Sequence, residues 1–176
     1  SDVGWVVGHS YIVYGPLMAG CSTILYEGKP VKTPDAGAFW RVCAEYKVKA
    51  LFSAPTAFRA IAKEDPDAAL MKTYDMSALE RLYLAGERLD PATYHWLKDK
   101  TQVPVIDHWW QTETGWPIAS IPLSANQQET KAGSAGFPVP GYNVQILDEQ
   151  GKPVAANQQG SVAIKLPLPP GCLSTI

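Results

Sequence analysis

The sequence predicts an α/β fold, a parallel sheet flanked by helices, followed by the start of a β-rich subdomain. Three observations predict it. Short, nearly all-apolar runs alternate with helical patterns over the first 106 residues, the signature of βαβ units. Those runs carry little alternation, as strands covered on both faces require. Beyond about residue 125, Gly, Pro, Ser and Gln take over and helical periodicity stops. At 176 residues, 46% hydrophobic and 18% charged, the chain has the means for an ordinary buried core.

The elements follow in order. Ser22 to Tyr26 (STILY) is β-branched and apolar between Gly20 and Gly28, and reads as a strand. Thr33-Pro34-Asp35 has the residue types of a helix start, predicting a helix over 35–46 with Phe39, Val42, Cys43 and Tyr46 on one face. Lys49 to Phe52 is the second strand. Pro55 opens a helix that packs Phe58, Ile61 and Ala62 and ends at Asp65-Pro66. Leu82 to Ala85 is the third strand, closed by Gly86. Asp90-Pro91 repeats the cap-plus-proline signal for a helix to about Lys100. Val103 to Ile106 is the fourth strand. Tyr142 to Leu147, a turn at Asp148 to Gly151, and Gly160 to Leu166 form a hairpin-like unit. A boundary near residue 128 separates an α/β subdomain (1–128) from a partial β subdomain (129–176).

Composition excludes several classes. Net charge is −2 with both signs interspersed and no basic stripe, so no nucleic-acid partner is expected. Apolar stretches break well short of a membrane span, so no membrane partner is expected either. Cys21, Cys43 and Cys172 are scattered, without metal-ligand spacing; a sparse, odd count suits a reducing compartment.

In open α/β sheets ligands bind beyond the carboxyl ends of the strands. Two loops leave such ends with polar content. Ala85-Gly86-Glu87-Arg88 follows the third strand. DHWWQTETGW, residues 107–116, follows the fourth. If these strands are neighbours, the loops share a crevice. Gly86 lets a flat ring approach the backbone. Thr112 and Thr114 bring hydroxyls, and Glu113 brings a carboxylate for a hard cation. Blander roles stand beside these. Trp109, Trp110 and Trp116 also suit core plugs. His9 and His108 suit satisfied loop histidines, and Glu87 a solvated charge. Gly133-Ser134-Ala135-Gly136 is too short for a phosphate loop or a dinucleotide fingerprint.

Trp109 to Gly115 (WWQTETG) resembles the signature loop of the adenylate-forming acyl-CoA synthetases of the acetate and propionate type. The wider superfamily has an aromatic-Gly-x-Thr-Glu version; the doubled Trp with Gln is more specific to the short-chain branch. Asp2 to Pro16 (DVGWVVGHSYIVYGP), Ala54 to Ala57 (APTA) and Lys131 to Gly141 (KAGSAGFPVPG) agree in the same order. The resemblance covers essentially the whole chain and implies an internal fragment of the family's N-terminal domain, with a distorted β-barrel after the α/β part.

The resemblance implies a ligase that joins a short carboxylate to CoA through an acyl-adenylate, using ATP, Mg²⁺ and CoA, with small molecules as its partners. It implies a nucleotide site at Gly86, Glu87, Arg88, Asp107, His108, Trp109, Trp110, Gln111 and Thr112. Thr112 and Glu113 would be the catalytic groups, Glu113 as the Mg²⁺ ligand. The acyl pocket would be Val6, Val7, Ala85 and Trp110, with Trp110 as its floor. Three positions depart from the acetate pattern. Val7 replaces a Thr, Ala85 replaces a Val, and Arg88 replaces a Pro. The smaller Ala85 leaves room for propionate, so the expected substrate is propionate, with an acetate enzyme as alternative. A non-catalytic module that uses its tryptophans to bind a ligand is a second alternative. Family members are cytoplasmic, or lie in the mitochondrial matrix in eukaryotes. The phosphate loop, the ribose-binding Asp and the catalytic Lys of the family fall outside these residues, so the fragment alone is expected to be inactive.

Overall fold

The computed structural model describes residues 4–121 and 131–172. The predicted boundary near residue 128 lies outside them. An irregular helical segment opens the chain: α1 (Val6–Gly8), a π-helical stretch (His9–Tyr14) and α2 (Gly15–Met18). Then come α3 (Ala38–Glu45), β1 (Ala50–Ser53), α4 (Pro55–Glu64), β2 (Arg81–Leu84), α5 (Pro91–Thr101) and β3 (Val105–Trp109). Two short strands follow, β4 (Ala119–Ser120) and β5 (Phe137–Pro138), and then β6 (Asn143–Leu147) and β7 (Ser161–Lys165).

The main sheet has the order β1-β2-β3-β4-β5. Its first three strands are parallel, with Leu51 opposite Leu82 and Leu82 opposite Val105. β4 and β5 then add antiparallel, so the sheet is mixed rather than purely parallel. β6 and β7 make a separate antiparallel pair, and no barrel closes among the described residues.

Proline and cap chemistry place α4 and α5 where expected. Pro55 and Pro91 occupy first-turn positions whose amides have no helical partner. Asp90 caps α5, accepting from the Thr93 amide at 2.9 Å and the Thr93 hydroxyl at 2.8 Å. The helix ends on Gln102 in the left-handed region (φ 57°).

Three expectations need correction. Ser22 to Tyr26 is not a strand: among the described residues it has no ladder partner, Leu25 is exposed, and β1 pairs with β2 alone. An apolar run becomes a strand only where a neighbour supplies hydrogen bonds. The helix expected over 35–46 starts at Ala38. The Asp35 carboxylate instead accepts the Gly37 amide at 2.8 Å, an Asx turn that delays the start. On α3 it is Ala38, Trp40 and Cys43 that are buried, while Tyr46 is exposed. The third correction concerns the faces of the sheet. Trp40, Phe58, Ile61, Tyr94 and Leu97 from the helices join Leu82, Leu84 and Val105 in one core. Strand alternation sends Phe52, Tyr83 and His108 to the opposite face. There the cover is Tyr11 of the π-helical stretch, 5.3 Å from the Phe52 ring and 5.3 Å from Trp110. Continuous apolarity therefore marks an aromatic cleft wall as well as a second core.

Candidate functional site

β2 and β3 are adjacent and parallel, with Leu84 opposite Asp107. The loops that leave their carboxyl ends therefore start side by side. Residues 107–109 are themselves strand, not loop as the sequence suggested. Asp107 and His108 are buried. The chain then turns over residues 110–118 and returns as β4, pairing His108 with Ser120. Thr114 builds that turn. Its buried hydroxyl lies 3.2 Å from the Gln111 amide, 3.0 Å from the Gln111 carbonyl and 3.0 Å from the Trp116 carbonyl. The consequence is that Thr112 and Glu113 stand exposed at the tip.

A cavity of about 400 Å³ sits where the two corners meet. Gly86, Glu87, Arg88, Asp107, His108, Trp109 and Trp110 line it, together with Gly133 and Ala135. Glycine at 86 serves the turn, since its φ of 99° lies where side chains are strained. Arg88 closes one side by donating from Nε to the Gly133 carbonyl at 3.2 Å. Gly136 allows the 133–136 turn to press on β4: a methyl group there would lie 2.4 Å from the Ser120 carbonyl oxygen. Gln111, Thr112 and Glu113 do not reach this cavity. They line a larger open cleft on the aromatic face, together with Val6, Val7, Ala85 and Trp110. Gly86, Glu87, His108 and Trp110 border both spaces. All the predicted site residues thus gather around one two-chambered cleft.

Charge in the corner is set by burial. Removal from water pushes the Asp107 carboxyl up to about 6, against weaker opposing pulls from the His108 and Leu89 amides and the Arg88 charge. Burial likewise holds His108 below the usual imidazole range. Among the described residues its Nδ1 has no hydrogen-bond partner, and its ring lies 5.1 Å from Phe52 and 6.1 Å from Tyr83. His108 is thus a packed strand histidine and not a loop residue. The tryptophans divide: Trp109 and Trp110 are half-buried at the cleft, and Trp116 is 61% exposed. None is a core plug; Trp40 takes that role.

Glu87 is exposed, as a solvated charge would be, but it is also tied down within the chain. It accepts from the Thr56 amide at 2.7 Å, from the Thr56 hydroxyl, and from Arg59 Nη2 at 2.6 Å. Those partners, the Thr56 hydroxyl first, hold its carboxyl below the usual range. Thr56, Tyr11, Gly133 and Ala135 are lining residues that sequence reasoning missed, and Arg59 reaches the cleft only through Glu87. The signal for Thr56 was legible: it follows a first-turn proline, where free amides attract a carboxylate.

For Mg²⁺ the donor set fits. No group of three His, Cys, Asp or Glu side chains forms a metal cage among the described residues. Glu113 offers a single carboxylate at the cleft, and Mg²⁺ beside phosphates usually takes only one or two.

A crevice beyond the strand ends is where open α/β sheets take their ligands. The chain belongs to the AMP-binding enzyme family, whose model matches residues 1–169. It is 57% identical, over 99% of its length, to human acyl-CoA synthetase short-chain family member 3, mitochondrial, and covers 26% of that protein. It is 52% identical, over its whole length, to propionate–CoA ligase of Escherichia coli, and covers 28% of it. An anthranilate CoA ligase solved with anthranoyl-AMP superposes with a TM-score of 0.76 at 26% identity, over 93% of this chain and 30% of that one. The chain thus spans under a third of the length of these relatives. No helix among the described residues is long and apolar enough to cross a membrane.

Proposed function

We propose that this chain is the adenylate- and acyl-lining segment of an AMP-forming short-chain acyl-CoA synthetase that favours propionate. The observation that carries the reading is the convergence of the 86–88 corner and the 107–116 turn on one cleft, with Val6, Val7, Ala85 and Trp110 beside them. The relative that holds an acyl-adenylate shares the fold, and the curated relatives join acids to CoA by name.

In this mechanism a carboxylate oxygen attacks the α-phosphorus of ATP. The bond from that phosphorus to the bridging oxygen breaks, and pyrophosphate leaves. The CoA thiolate then attacks the acyl carbon and AMP departs. The chain's part is to bind and orient. The backbone of Gly86 to Arg88 and the Trp109 and Trp110 faces sandwich the base. The exposed Thr112 hydroxyl donates to the α-phosphate as charge builds there. Glu113 would hold Mg²⁺, which neutralises phosphate charge when bound. No side chain of this segment forms a covalent bond to substrate. Trp110 floors the acyl chamber, and the small Ala85 leaves its wall open by the width of a methyl or two.

The test is acid-dependent pyrophosphate release by the native polypeptide that carries this sequence, with acetate, propionate and butyrate compared at equal concentration. Release with propionate ahead of acetate is expected. Acetate ahead would overturn the propionate assignment. No release with any acid, together with tryptophan fluorescence that ATP·Mg²⁺ leaves unchanged, would overturn the synthetase itself.

A further inference from the structure

The Glu87 carboxylate is consumed within the chain. Its donors are Thr56, the second residue of α4, and Arg59, one turn further on. The same guanidinium reaches across to Asp90, with Nη1 3.1 Å from Oδ2, and Nη2 also lies 3.2 Å from the Thr56 hydroxyl. Asp90 is the cap of α5. One arginine therefore ties together both ends of the segment 87–90 and pins that segment to the start of α4. The segment begins at Gly86, a residue with left-handed backbone and the freedom that goes with it. The neighbouring Arg88 is fastened on its other side, to the Gly133 carbonyl.

We infer that Thr56 and Arg59 are positioning residues: through Glu87 and Asp90 they hold the Gly86–Arg88 corner at the distance and angle that the flat base of an adenine nucleotide requires. The inference rests on the nucleotide reading of the corner cavity. It also reassigns Glu87. Its carboxylate is hydrogen-bonded to Thr56 and Arg59 of α4. Arg59 touches neither chamber, since it lines neither the corner cavity nor the open cleft. Loss of Arg59 thus widens the positions the corner samples without removing a group that lines either chamber. Nucleotide affinity suffers and the acid senses it little, because Val6, Val7 and Trp110 lie on other segments and the Ala85 amide is held by the Ser53 carbonyl at 3.3 Å.

The experiment compares Arg59→Ala, Arg59→Lys, Glu87→Ala and the Arg59→Ala/Glu87→Ala double variant in the native polypeptide. Loss of a charge-assisted clamp should raise the KM for ATP and the Kd for AMP about tenfold in Arg59→Ala. The KM for the carboxylate should stay within about twofold of wild type. Arg59→Lys keeps the charge but loses the fork that spans two carboxylates, so its loss should be intermediate. The double variant should lose less than the sum of the two singles, since both break the Arg59–Glu87 link while Arg59 also holds Asp90 and Glu87 also holds Thr56. Equal rises in both KM values, no rise at all, or additive losses in the double variant would each overturn the inference. Amide hydrogen exchange at residues 86–89 separates its failure from failure of the nucleotide reading. If wild type binds no nucleotide, the nucleotide reading falls. Faster exchange in Arg59→Ala at an unchanged melting temperature would then still support the clamp, and unchanged exchange would sink it.

Discussion

Asp107→Asn tests whether the site keeps a costly charge. Asp107 ends the parallel pairing with Leu84, is 4% exposed, and lines the corner cavity. Burial raises its carboxyl from 3.8 to about 6. A folded-state value above the unfolded one means that the fold prefers the protonated form. The stability tied to that preference is full below pH 3.8 and is lost as pH rises through about 6. The separation corresponds to about 3 kcal/mol at neutral pH. Asparagine keeps one acceptor oxygen for the backbone amides and carries no charge. The variant should therefore match wild type near pH 4 and exceed it at pH 8, by up to about 3 kcal/mol. Denaturant midpoints measured from pH 4 to 8 on both proteins read this directly, with slopes checked for two-state behaviour. If Asp107 serves the nucleotide site, the stabilised variant should bind ATP more weakly. A variant that is less stable than wild type at pH 8, or whose difference from wild type does not change with pH, would refute the burial argument.

Asp90→Ala should cost about 1 kcal/mol through loss of the α5 cap. The Asp90 carboxyl is held down at about 2, first by the Thr93 amide, so the difference from wild type should fade as pH drops from about 4 towards 2; urea titrations at pH 7 and pH 2.5 check this. Gly136→Ala places a methyl group against the Ser120 carbonyl at a φ of 83°, and should destabilise by more than about 1 kcal/mol in a thermal melt. Ala85→Val narrows the acyl wall. It should shift the acetate-to-propionate ratio of kcat/KM towards acetate by about tenfold or more, as one methylene in a pocket allows. Trp110→Gly should open the floor, and longer acids should then turn over; competition assays with hexanoate measure it.

Local chemistry made much of the frame legible. Pro55, Asp90-Pro91 and the apolar runs at 49–52, 82–85 and 103–106 announced α4, α5 and the parallel strands within a few residues of their observed ends. That the WWQTETG turn and the Gly86 corner leave neighbouring strand ends was also readable, from the polar loops that follow the apolar runs. The alternating runs at 142–147 and 160–166 announced the β6–β7 hairpin.

What local pattern could not carry was pairing. Ser22 to Tyr26 has every residue type a strand wants and no neighbour. Ala119-Ser120 and Phe137-Pro138 have weak patterns and are strands, because the Thr114 turn delivers the first to β3 and the close approach of Gly136 delivers the second to β4. Hydrogen bonds between strands join residues distant in sequence, so no window along the chain contains both partners. The same limit hid the partners of Glu87. A carboxylate's state depends on what faces it, and Thr56 and Arg59 lie 31 and 28 residues away along the chain. Sequence alone therefore determined which segments are helix or strand formers and which residue types stand at the cleft. Tertiary structure decided which face of the sheet stays open, which charges are already spoken for, and which remain free to meet a ligand, because those are properties of three-dimensional neighbours.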